Sequence, residues 1–317
     1  MKVGIDVSPL VQTQAGTARY IRGLLSHNEY TRLSWGGSTR LAALVRDAWW
    51  YPHGLPHDAR SLDVLHCPTF RGPVVSRVPV VVTVHDLAVL RHPETFNQWT
   101  RHYSRLVVPR VARAARRVIA VSEFTRREVV ELLGVPEERI RVIPNGVGEP
   151  FGPDGPAAEG DYVLAVGTLE PRKNLAAAQE AAQGLGVELR VVGARGWGDV
   201  QVDGWLGRVS DDELAALYRG ARCLVYPSLY EGFGIPVLEA MACGTPVVTA
   251  AGGATEEVAG GAAVLVDTRD PAAIAAGIEE ADARRDELRG RGLERATRFT
   301  WERVAAETRA VYEEAAA

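Results

Sequence analysis

Short apolar runs, most of them rich in valine, alternate with longer segments of helical spacing along the chain. Such runs predict strands that are buried on both faces, as in parallel sheets covered by helices. The predicted strands are 2–7, 41–45, 63–67, 78–84, 117–122, 162–166, 188–192, 204–209, 223–226, 247–249 and 263–266. The alternation therefore predicts an α/β fold with Rossmann-like β/α/β units.

Helical segments fill the intervals between these strands. They are predicted at 17–25, 99–117, from 123 with Ser122 as N-cap, after Asn174, from 210, from 236 to Gly244, and at 301–314. Between 144 and 160 the chain is rich in Gly, Pro and Ala, which indicates a linker. We therefore divide the chain into one domain at 1–150 and another at 151–300.

The composition suits two domains. The chain has 317 residues, 46% of them hydrophobic, and no apolar span approaches the roughly 18 residues of a membrane helix. The N-terminus does not resemble a signal peptide, so a cytoplasmic protein is expected. Cys67, Cys223 and Cys243 are widely spaced in apolar contexts, which favours core thiols over a disulfide or zinc site.

Charge divides unequally between the two halves. Residues 1–148 carry 20 basic and 12 acidic side chains, a net of +8, whereas 149–317 carry 16 and 28, a net of −12. Six arginines and no acid lie in the segment 99–117, at positions 101, 105, 110, 113, 116 and 117. This arginine stripe has two interpretations, a peripheral contact with anionic lipid or a solvated helix face.

The stretch 228–244 combines features of an anion site. Gly232 and Gly234 permit tight backbone turns after the strand at 223–226, and Pro236 suits the first position of a helix. The N–H groups and dipole of that helix favour a phosphate. Glu239, one turn inside the helix, can accept hydrogen bonds from ribose hydroxyls, and Glu231 on the turn can reach a second sugar.

Other candidate ligand contacts follow two predicted strands and begin the first helix. His85 and Asp86 follow the strand at 78–84, where open parallel sheets keep their ligand sites. Arg172 and Lys173 follow the strand at 162–166, and their charges suit a diphosphate. Gly16, at the start of the first helix, allows close approach of a ligand, although the G-x-G-x-x-G of nicotinamide sites is absent.

Several of these segments together resemble one enzyme family. The phrase E-G-F-G-I-P-V-L-E, followed by A-M-A-C-G-T-P-V-V, is similar to the signature of retaining family 4 glycosyltransferases, also described as glycosyl transferases group 1. The phrases V-G-T-L-E-P-R-K-N-L, T-V-H-D-L and V-S-E-F-T-R-R-E resemble the same family. The resemblance implies a GT-B fold with the active site in an interdomain cleft, and a last helix, about 301–317, that packs back on the first domain.

The resemblance also implies roles for individual residues. The first domain would bind the acceptor and the second the nucleotide-sugar donor. The nucleotide base of the donor would contact the chain near Val209, although Ser210 and Glu213 fit a helix capping box equally well. The implied catalytic residues are His85, Arg172, Lys173 and Glu231, the donor-binding residues are Gly16, Val209, Gly232, Phe233, Gly234, Ile235 and Glu239, and Asp86 is placed on the acceptor side.

The expected activity is transfer of a hexose, with mannose as one candidate, from a GDP- or UDP-sugar to an acceptor hydroxyl with retention. No D-x-D triplet occurs, so we expect neither a metal nor a cofactor. The acceptor would be a glycan, a lipid-linked glycan or a small molecule, not a nucleic acid, with the arginine stripe contacting the inner membrane face. Three alternatives stay open: a nucleotide-sugar 2-epimerase, a phosphorylase, and a non-catalytic sugar-nucleotide-binding protein.

Overall fold

The computed structural model describes residues 1–11, 16–96 and 98–317. Four residues of the predicted loop before Gly16, Gln12 to Ala15, lie outside this part of the chain. The described residues form two compact units, which we call unit 1 (Met1–Gly146 with Trp301–Ala317) and unit 2 (Val147–Thr300). Each unit contains one parallel sheet with helices, so the predicted α/β fold with two Rossmann-like domains is confirmed.

Unit 1 is built around a six-stranded parallel sheet of order β2-β1-β3-β4-β5-β6. Its strands are β1 (Val3–Asp6), β2 (Thr31–Leu33), β3 (Val64–Cys67), β4 (Val80–Val84), β5 (Arg117–Ala120) and β6 (Ile140–Val142). Its helices are α1 (Gly16–His27), α2 (Arg40–Val45), α3 (Leu55–Asp58), α4 (Ala88–Arg91), α5 (Gln98–Ala114) and α6 (Glu123–Glu128), with wider π-helical turns at Arg46–Gly54 and Val129–Leu133.

The last helix of the chain also belongs to unit 1. It runs over Trp301–Ala316 and packs against α1, β3 and β4. Val304, Val311 and Tyr312 on this helix join Ile5, Val81 and others in one apolar cluster. The final helix therefore completes the core on one face of the first sheet. We number it α13, after the helices of unit 2.

Unit 2 has the strand order β12-β11-β10-β7-β8-β9, again with parallel pairings. Its strands are β7 (Tyr162–Val166), β8 (Glu188–Val192), β9 (Trp205–Gly207), β10 (Leu224–Tyr226), β11 (Val247–Ala250) and β12 (Val264–Val266). Its helices are α7 (Leu175–Gly184), α8 (Asp211–Gly220), α9 (Ile235–Ala242), α10 (Ala254–Ala259), α11 (Pro271–Ala283) and α12 (Arg285–Ala296).

The strand order of unit 2 locates its ligand crevice. The chain winds outward from β7 in one direction and from β10 in the other, so the order reverses between these two adjacent strands. In doubly wound sheets, ligands bind beyond the carboxyl ends of the strands at such a switch point. The loops that follow β7 and β10 carry Arg172, Lys173 and Glu231.

Three details of the predicted secondary structure are wrong. Residues 41–45, predicted as a strand, form α2, because Ala42 and Ala43 favour a helix and the Thr39 side chain caps its start by accepting from the Ala42 N–H. Strands β2 and β6 were not predicted, since each has only three residues and contains an arginine. The helix predicted at 99–117 ends at Ala114, where β5 soon follows.

All three cysteines are buried and free, as predicted. Among the helices of the described ranges, none has the length and apolar character needed to cross a membrane.

Candidate active site

The loop after β7 places two cations at the switch point of unit 2. Pro171–Lys173 form a single tight helical turn, and Asn174 follows in the left-handed region with φ 51°. Such a conformation is costly for a residue other than glycine, and here the Asn174 side chain donates to the Thr268 carbonyl at 2.5 Å. This arrangement fixes the direction in which Arg172 and Lys173 leave the loop.

Both cations contact carboxylates of the same unit. Arg172 pairs with Glu170, which is 3% exposed, at 2.6 Å, and donates to the Tyr230 carbonyl at 2.5 Å. Lys173 forms an ion pair with Glu231 and donates to the Tyr226 hydroxyl at 3.1 Å. The loop after β7 is therefore joined to the turn after β10 by charge-assisted hydrogen bonds.

Glu231 lies at the centre of this cluster. Its carboxylate accepts from the Tyr226 hydroxyl at 2.9 Å and lies 3.4 Å from Arg172 Nη1, in addition to the Lys173 pair. Burial alone would raise the pKa of Glu231, but the Lys173 ammonium and the Arg172 guanidinium outweigh it and lower that pKa to about 2. Glu231 is thus a carboxylate at any ordinary pH.

The formal charge of this cluster is balanced. Arg172 and Lys173 are matched by Glu170 and Glu231, so the four side chains together carry no net formal charge. Burial raises the pKa of Glu170, and Arg172 opposes that effect. A diphosphate that replaced Glu231 as the ion-pair partner of Lys173 would leave the Glu231 carboxylate available to accept hydrogen bonds from a sugar.

The turn before α9 has the left-handed backbone at Gly234 that a glycine there allows. Gly234 has φ 103°, and a Cβ added there would lie 3.0 Å from Thr255 Cγ2. Phe233 is buried and packs edge-on against Phe299, with 6.1 Å between ring centroids. The helix begins at Ile235, so Pro236 occupies its second position and not the first. Gly232, Phe233, Gly234 and Ile235 therefore lead directly into the positive end of a helix dipole.

Glu239 is more deeply placed than its predicted ribose contact suggests. It lies on α9, is 2% exposed, and accepts a hydrogen bond from the Tyr218 hydroxyl of α8 at 3.1 Å. Tyr218 in turn offers its backbone carbonyl to the Thr245 hydroxyl at 2.6 Å. The ribose role of Glu239 stays a prediction, with Tyr218 as the group that orients the carboxylate.

Val209 is half-buried, between β9 and α8. The neighbouring Ser210 and Glu213 form a capping box, in which the Ser210 hydroxyl accepts from the Glu213 N–H at 3.2 Å and the Glu213 carboxylate accepts from the Ser210 N–H at 2.8 Å. This capping alternative is confirmed, and a base contact at Val209 stays a prediction.

In unit 1, His85 follows β4 as predicted, and its surroundings define its protonation. Its Nε2 lies 3.0 Å from the Pro68 carbonyl, and because a carbonyl only accepts, Nε2 carries the proton. Burial lowers the pKa of His85, against the opposing effects of Pro68 and Asp86. The neutral ring therefore has Nδ1 as its acceptor. Asp86 itself accepts from the Ala88 N–H, at the first residue of α4, at 3.0 Å.

A buried chain of hydrogen bonds lies behind His85. Tyr20 packs edge-on against the His85 ring, with 4.9 Å between centroids, and its hydroxyl bonds Thr83 at 3.0 Å. Thr83 bonds His66 Nε2 at 2.9 Å, and His66 Nδ1 bonds the Tyr312 hydroxyl of α13 at 2.7 Å. Sequence reasoning missed these residues, and only the histidine within the apolar run 64–67 signalled them.

Gly16 is the first residue of α1. Its contact with the donor stays a prediction. Among the residues that the structure describes, no group of three or more His, Cys, Asp or Glu side chains could hold a metal ion.

Comparisons with known proteins agree on one family. Residues 153–298 match the family model described as Glycosyl transferases group 1, and residues 7–148 match Glycosyltransferase Family 4. The chain is 35% identical over 260 residues to the O-antigen chain mannosyltransferase B of Escherichia coli, covering 72% of this chain and 68% of that protein. It is 33% identical over 284 residues to a D-inositol 3-phosphate glycosyltransferase of Geodermatophilus obscurus, covering 76% and 63%.

Solved structures show the same fold at low identity. The Anabaena protein Alr3699/HepE in complex with UDP and glucose has a TM-score of 0.79 at 18% identity, with 99% of each chain covered. The sucrose-phosphate synthase of Thermosynechococcus elongatus has a TM-score of 0.78 at 20% identity, covering 99% of this chain and 98% of that one. With the family models and the curated relatives, these likenesses show that the chain belongs to the family 4 glycosyltransferases of GT-B fold.

Proposed function

We propose that this glycosyltransferase moves a hexose from a GDP- or UDP-sugar to an acceptor hydroxyl with retention at the anomeric carbon, using no metal or other cofactor. The observation that carries the proposal is the cluster of Arg172, Lys173 and Glu231 at the switch point of unit 2. Mannose is the favoured hexose, because relatives are named mannosyltransferases. Glucose is the other candidate, since HepE was solved in complex with UDP-glucose.

In the proposed mechanism, negative charge builds up on the departing diphosphate. Lys173 exchanges Glu231 for the diphosphate, and Arg172 and the first turn of α9 stabilise the same charge. Glu231, released from Lys173, accepts hydrogen bonds from the transferred sugar. Glu239 holds the ribose, while Gly16, Val209 and the turn 232–235 complete the donor contacts.

His85 contributes an acceptor to the sugar in this proposal. Its Nε2 proton is held by the Pro68 carbonyl, so Nδ1 accepts from a sugar hydroxyl. Unit 1 binds the acceptor, with Asp86 on the acceptor side. An anionic or lipid-phosphate-linked acceptor is favoured over a small neutral one, because residues 1–148 carry a net charge of +8.

The test is product analysis with GDP-mannose, UDP-glucose and a panel of lipid-linked glycan acceptors. Donor consumption should require an acceptor, and proton NMR of the product should show the anomeric configuration of the donor. An inverted product would contradict retention. Donor conversion to an isomeric nucleotide sugar without acceptor would instead indicate an epimerase.

Metal independence has its own test. Transfer should continue at an unchanged rate in EDTA, because Arg172, Lys173 and a helix N-terminus cover the leaving-group charge. Loss of activity in EDTA that magnesium or manganese restores would overturn this part of the proposal.

A further inference from the structure

Two groups of unit 1 hold the His85 ring. Its Nε2 proton faces the Pro68 carbonyl at 3.0 Å. The Tyr20 ring of α1 packs edge-on against the imidazole, with 4.9 Å between centroids and 79° between the ring planes. A single hydrogen bond still lets an imidazole swing about the bonded nitrogen, and the Tyr20 ring blocks that movement on one side. The two contacts together therefore set the direction in which Nδ1 points.

Tyr20 is itself fixed in place. Its side chain is 0% exposed, and its hydroxyl bonds the Thr83 hydroxyl at 3.0 Å. Thr83 lies in β4 and precedes His85 by two residues, a spacing that puts the side chains of an extended segment on one face. Tyr20 therefore bridges these two residues, with its hydroxyl at Thr83 and its ring at His85.

The hydrogen bonds continue from Thr83 to the last helix. His66 Nε2 lies 2.9 Å from Thr83 Oγ1, and His66 Nδ1 lies 2.7 Å from the Tyr312 hydroxyl. Burial and the neighbouring His85 lower the pKa of His66 to about 3, so its ring is neutral, with one donor and one acceptor nitrogen. Because both nitrogens have partners, the ring cannot turn without leaving a buried polar atom unsatisfied. We call Tyr20, Thr83, His66 and Tyr312 the His85 support.

The packing of α1 against α13 holds the backbone of Tyr20. Gly23 lies three residues after Tyr20, and a Cβ added to it would lie 2.3 Å from Trp301 Cε3. A glycine weakens a helix interior relative to alanine. At this position it lets α1 approach the tryptophan ring closely. Tyr20 therefore depends on α13 twice, through the helix that carries it and through the hydrogen bonds that end at Tyr312.

The polarity of this face of the sheet changes along β3 and β4. The apolar cluster on the face includes Val64 and Val81, each two residues before a member of the His85 support. At His66 and Thr83 the buried side chains become polar. Burying a polar group costs free energy unless it is bonded, and apolar residues would fill the same space without that cost. Packing alone therefore does not require the polar groups that lead to His85.

We propose that Tyr20 is a positioning residue for His85, and that Thr83, His66 and Tyr312 hold Tyr20 in place. The inference rests on the proposed function, in which His85 Nδ1 accepts from a hydroxyl of the donor sugar. Transfer depends on how closely such a contact is held to its productive geometry. Loss of the Tyr20 ring should therefore slow transfer without weakening nucleotide binding, because the base, ribose and diphosphate contacts are proposed in unit 2.

The first measurement is the kinetics of two Tyr20 variants. Tyr20→Leu removes the ring contact and should lower kcat by about 10- to 100-fold, as expected for a misplaced contact in the transition state. Tyr20→Phe keeps the ring and should recover most of that rate. Isothermal titration calorimetry should give an unchanged affinity for free GDP or UDP in both variants.

Thr83 allows a test of the hydrogen bonds at nearly constant shape. Thr83→Val loses the bonds to Tyr20 and His66 and should lower kcat by about three- to tenfold. Thr83→Ser keeps the hydroxyl and should transfer nearly as fast as the wild type.

Leu24→Ala is the matched control for lost stability. Leu24 lies on α1 four residues after Tyr20, is 0% exposed, and belongs to the same apolar cluster. Its truncation leaves a cavity and should lower the melting temperature. Below that temperature it should keep the wild-type kcat, because Leu24 is not part of the His85 support. Circular dichroism confirms that each variant folds.

The second measurement reports on His85 without any substrate. The chain has seven histidines, so imidazole ¹⁵N spectra of histidine-labelled protein are simple, and His85→Gln identifies the His85 signals. The wild type should show one tautomer with the proton on Nε2. Tyr20→Leu should shift or average the ring-nitrogen signals, whereas Tyr20→Phe and Leu24→Ala should keep them.

Three results would overturn the inference. Tyr20→Leu could transfer at the normal rate, it could leave the His85 signals unchanged, or Leu24→Ala could lose as much kcat as Tyr20→Leu. A failure of the proposed function looks different, since His85→Gln would then transfer at the wild-type rate. A slow His85→Gln beside a normal Tyr20→Leu would overturn the positioning role alone.

Discussion

At the scale of single residues, the Glu231 carboxylate has two possible partners, the Lys173 ammonium and a bound sugar. In the structure it forms an ion pair with Lys173 and accepts a hydrogen bond from the Tyr226 hydroxyl at 2.9 Å, so its charge is balanced within the protein. In the proposed mechanism, a diphosphate displaces Glu231 from Lys173, and the carboxylate can then accept hydrogen bonds from a sugar. In this proposal the ion pair keeps the carboxylate from other partners until the donor binds, and the carboxylate then becomes available to the sugar.

Replacing Glu231 with glutamine should separate these roles. Glu231→Gln should lose transfer by about 10²-fold or more, because a transition-state contact with the sugar is removed. Its affinity for free GDP or UDP should stay the same or rise, since Lys173 no longer has a competing carboxylate. Isothermal titration calorimetry measures the affinity, and Glu159→Gln, at an exposed position, is the control. Equal losses of nucleotide affinity and of activity would argue against the assignment.

Lys173 should matter more for rate than for binding. Lys173→Met should lower kcat by about 10²- to 10³-fold, or roughly 3–4 kcal/mol, as expected for one preorganised donor to a developing anion. Donor KM should change much less. Lys173→Arg should recover part of the rate, because it keeps the charge but changes the geometry. Steady-state kinetics with purified donor checks this, and a near-normal kcat for Lys173→Met would exclude the residue.

At the scale of elements, the last helix is bound to the first sheet by a polar contact as well as by packing. The Tyr312 hydroxyl of α13 bonds His66 of β3, and His66 bonds Thr83 of β4. These groups are buried, so each hydrogen bond replaces one to water and its loss leaves a polar atom without a partner. This series of hydrogen bonds ends at Tyr20, whose ring packs beside His85.

Removing one hydroxyl from this chain should destabilise unit 1. Tyr312→Phe should lower the free energy of unfolding by about 1–2 kcal/mol, because it leaves His66 Nδ1 unsatisfied in the core. Tyr30→Phe is the matched control, since its hydroxyl meets Tyr312 at 3.3 Å in a part-buried place and should cost less. Urea unfolding measures both. A smaller loss for Tyr312→Phe than for Tyr30→Phe would contradict the predicted importance of the His66 contact.

At the scale of the whole molecule, the two units differ in how acid affects them. In unit 1, burial and the neighbouring His85 lower the pKa of His66 to about 3. In unit 2, Glu231 keeps its charge down to a pKa of about 2. Mild acid should therefore act first on unit 1.

The sign follows from proton uptake. Below pH 6.5 the unfolded chain protonates His66, whereas the folded chain does not until about pH 3, so the stability of unit 1 falls as the pH falls through this window. Between pH 6.5 and pH 5 the loss from His66 should be about 2 kcal/mol. Hydrogen exchange reports the two units separately, and His66→Gln should reduce the pH dependence of unit 1 alone. Equal acid sensitivity of both units would contradict this account.

Much of the architecture could be predicted because it depends on local pattern. The runs at 162–166 and 188–192 coincide with β7 and β8, since continuous valine-rich runs suit strands buried on both faces. Gly232 and Gly234 with Pro236 predicted a turn into a helix, because glycine allows backbone conformations closed to other residues and proline fixes φ, whatever surrounds them. Arg172, Lys173 and Glu231 were singled out from their place after predicted strands and from the motif, and the structure brings them together, while their roles stay predictions.

Tertiary structure decided what depends on partners distant in sequence. It paired Lys173 with Glu231, 58 residues apart, so the charge of the lysine is balanced within the protein. It buried Arg46, whose guanidinium reaches the Trp35 and Gly37 carbonyls, and left Leu41 exposed, a placement that the segment's own sequence does not indicate. It joined His66 to Tyr312 across 246 residues. Residue type determines which interactions are available, and only packing determines which of them are made.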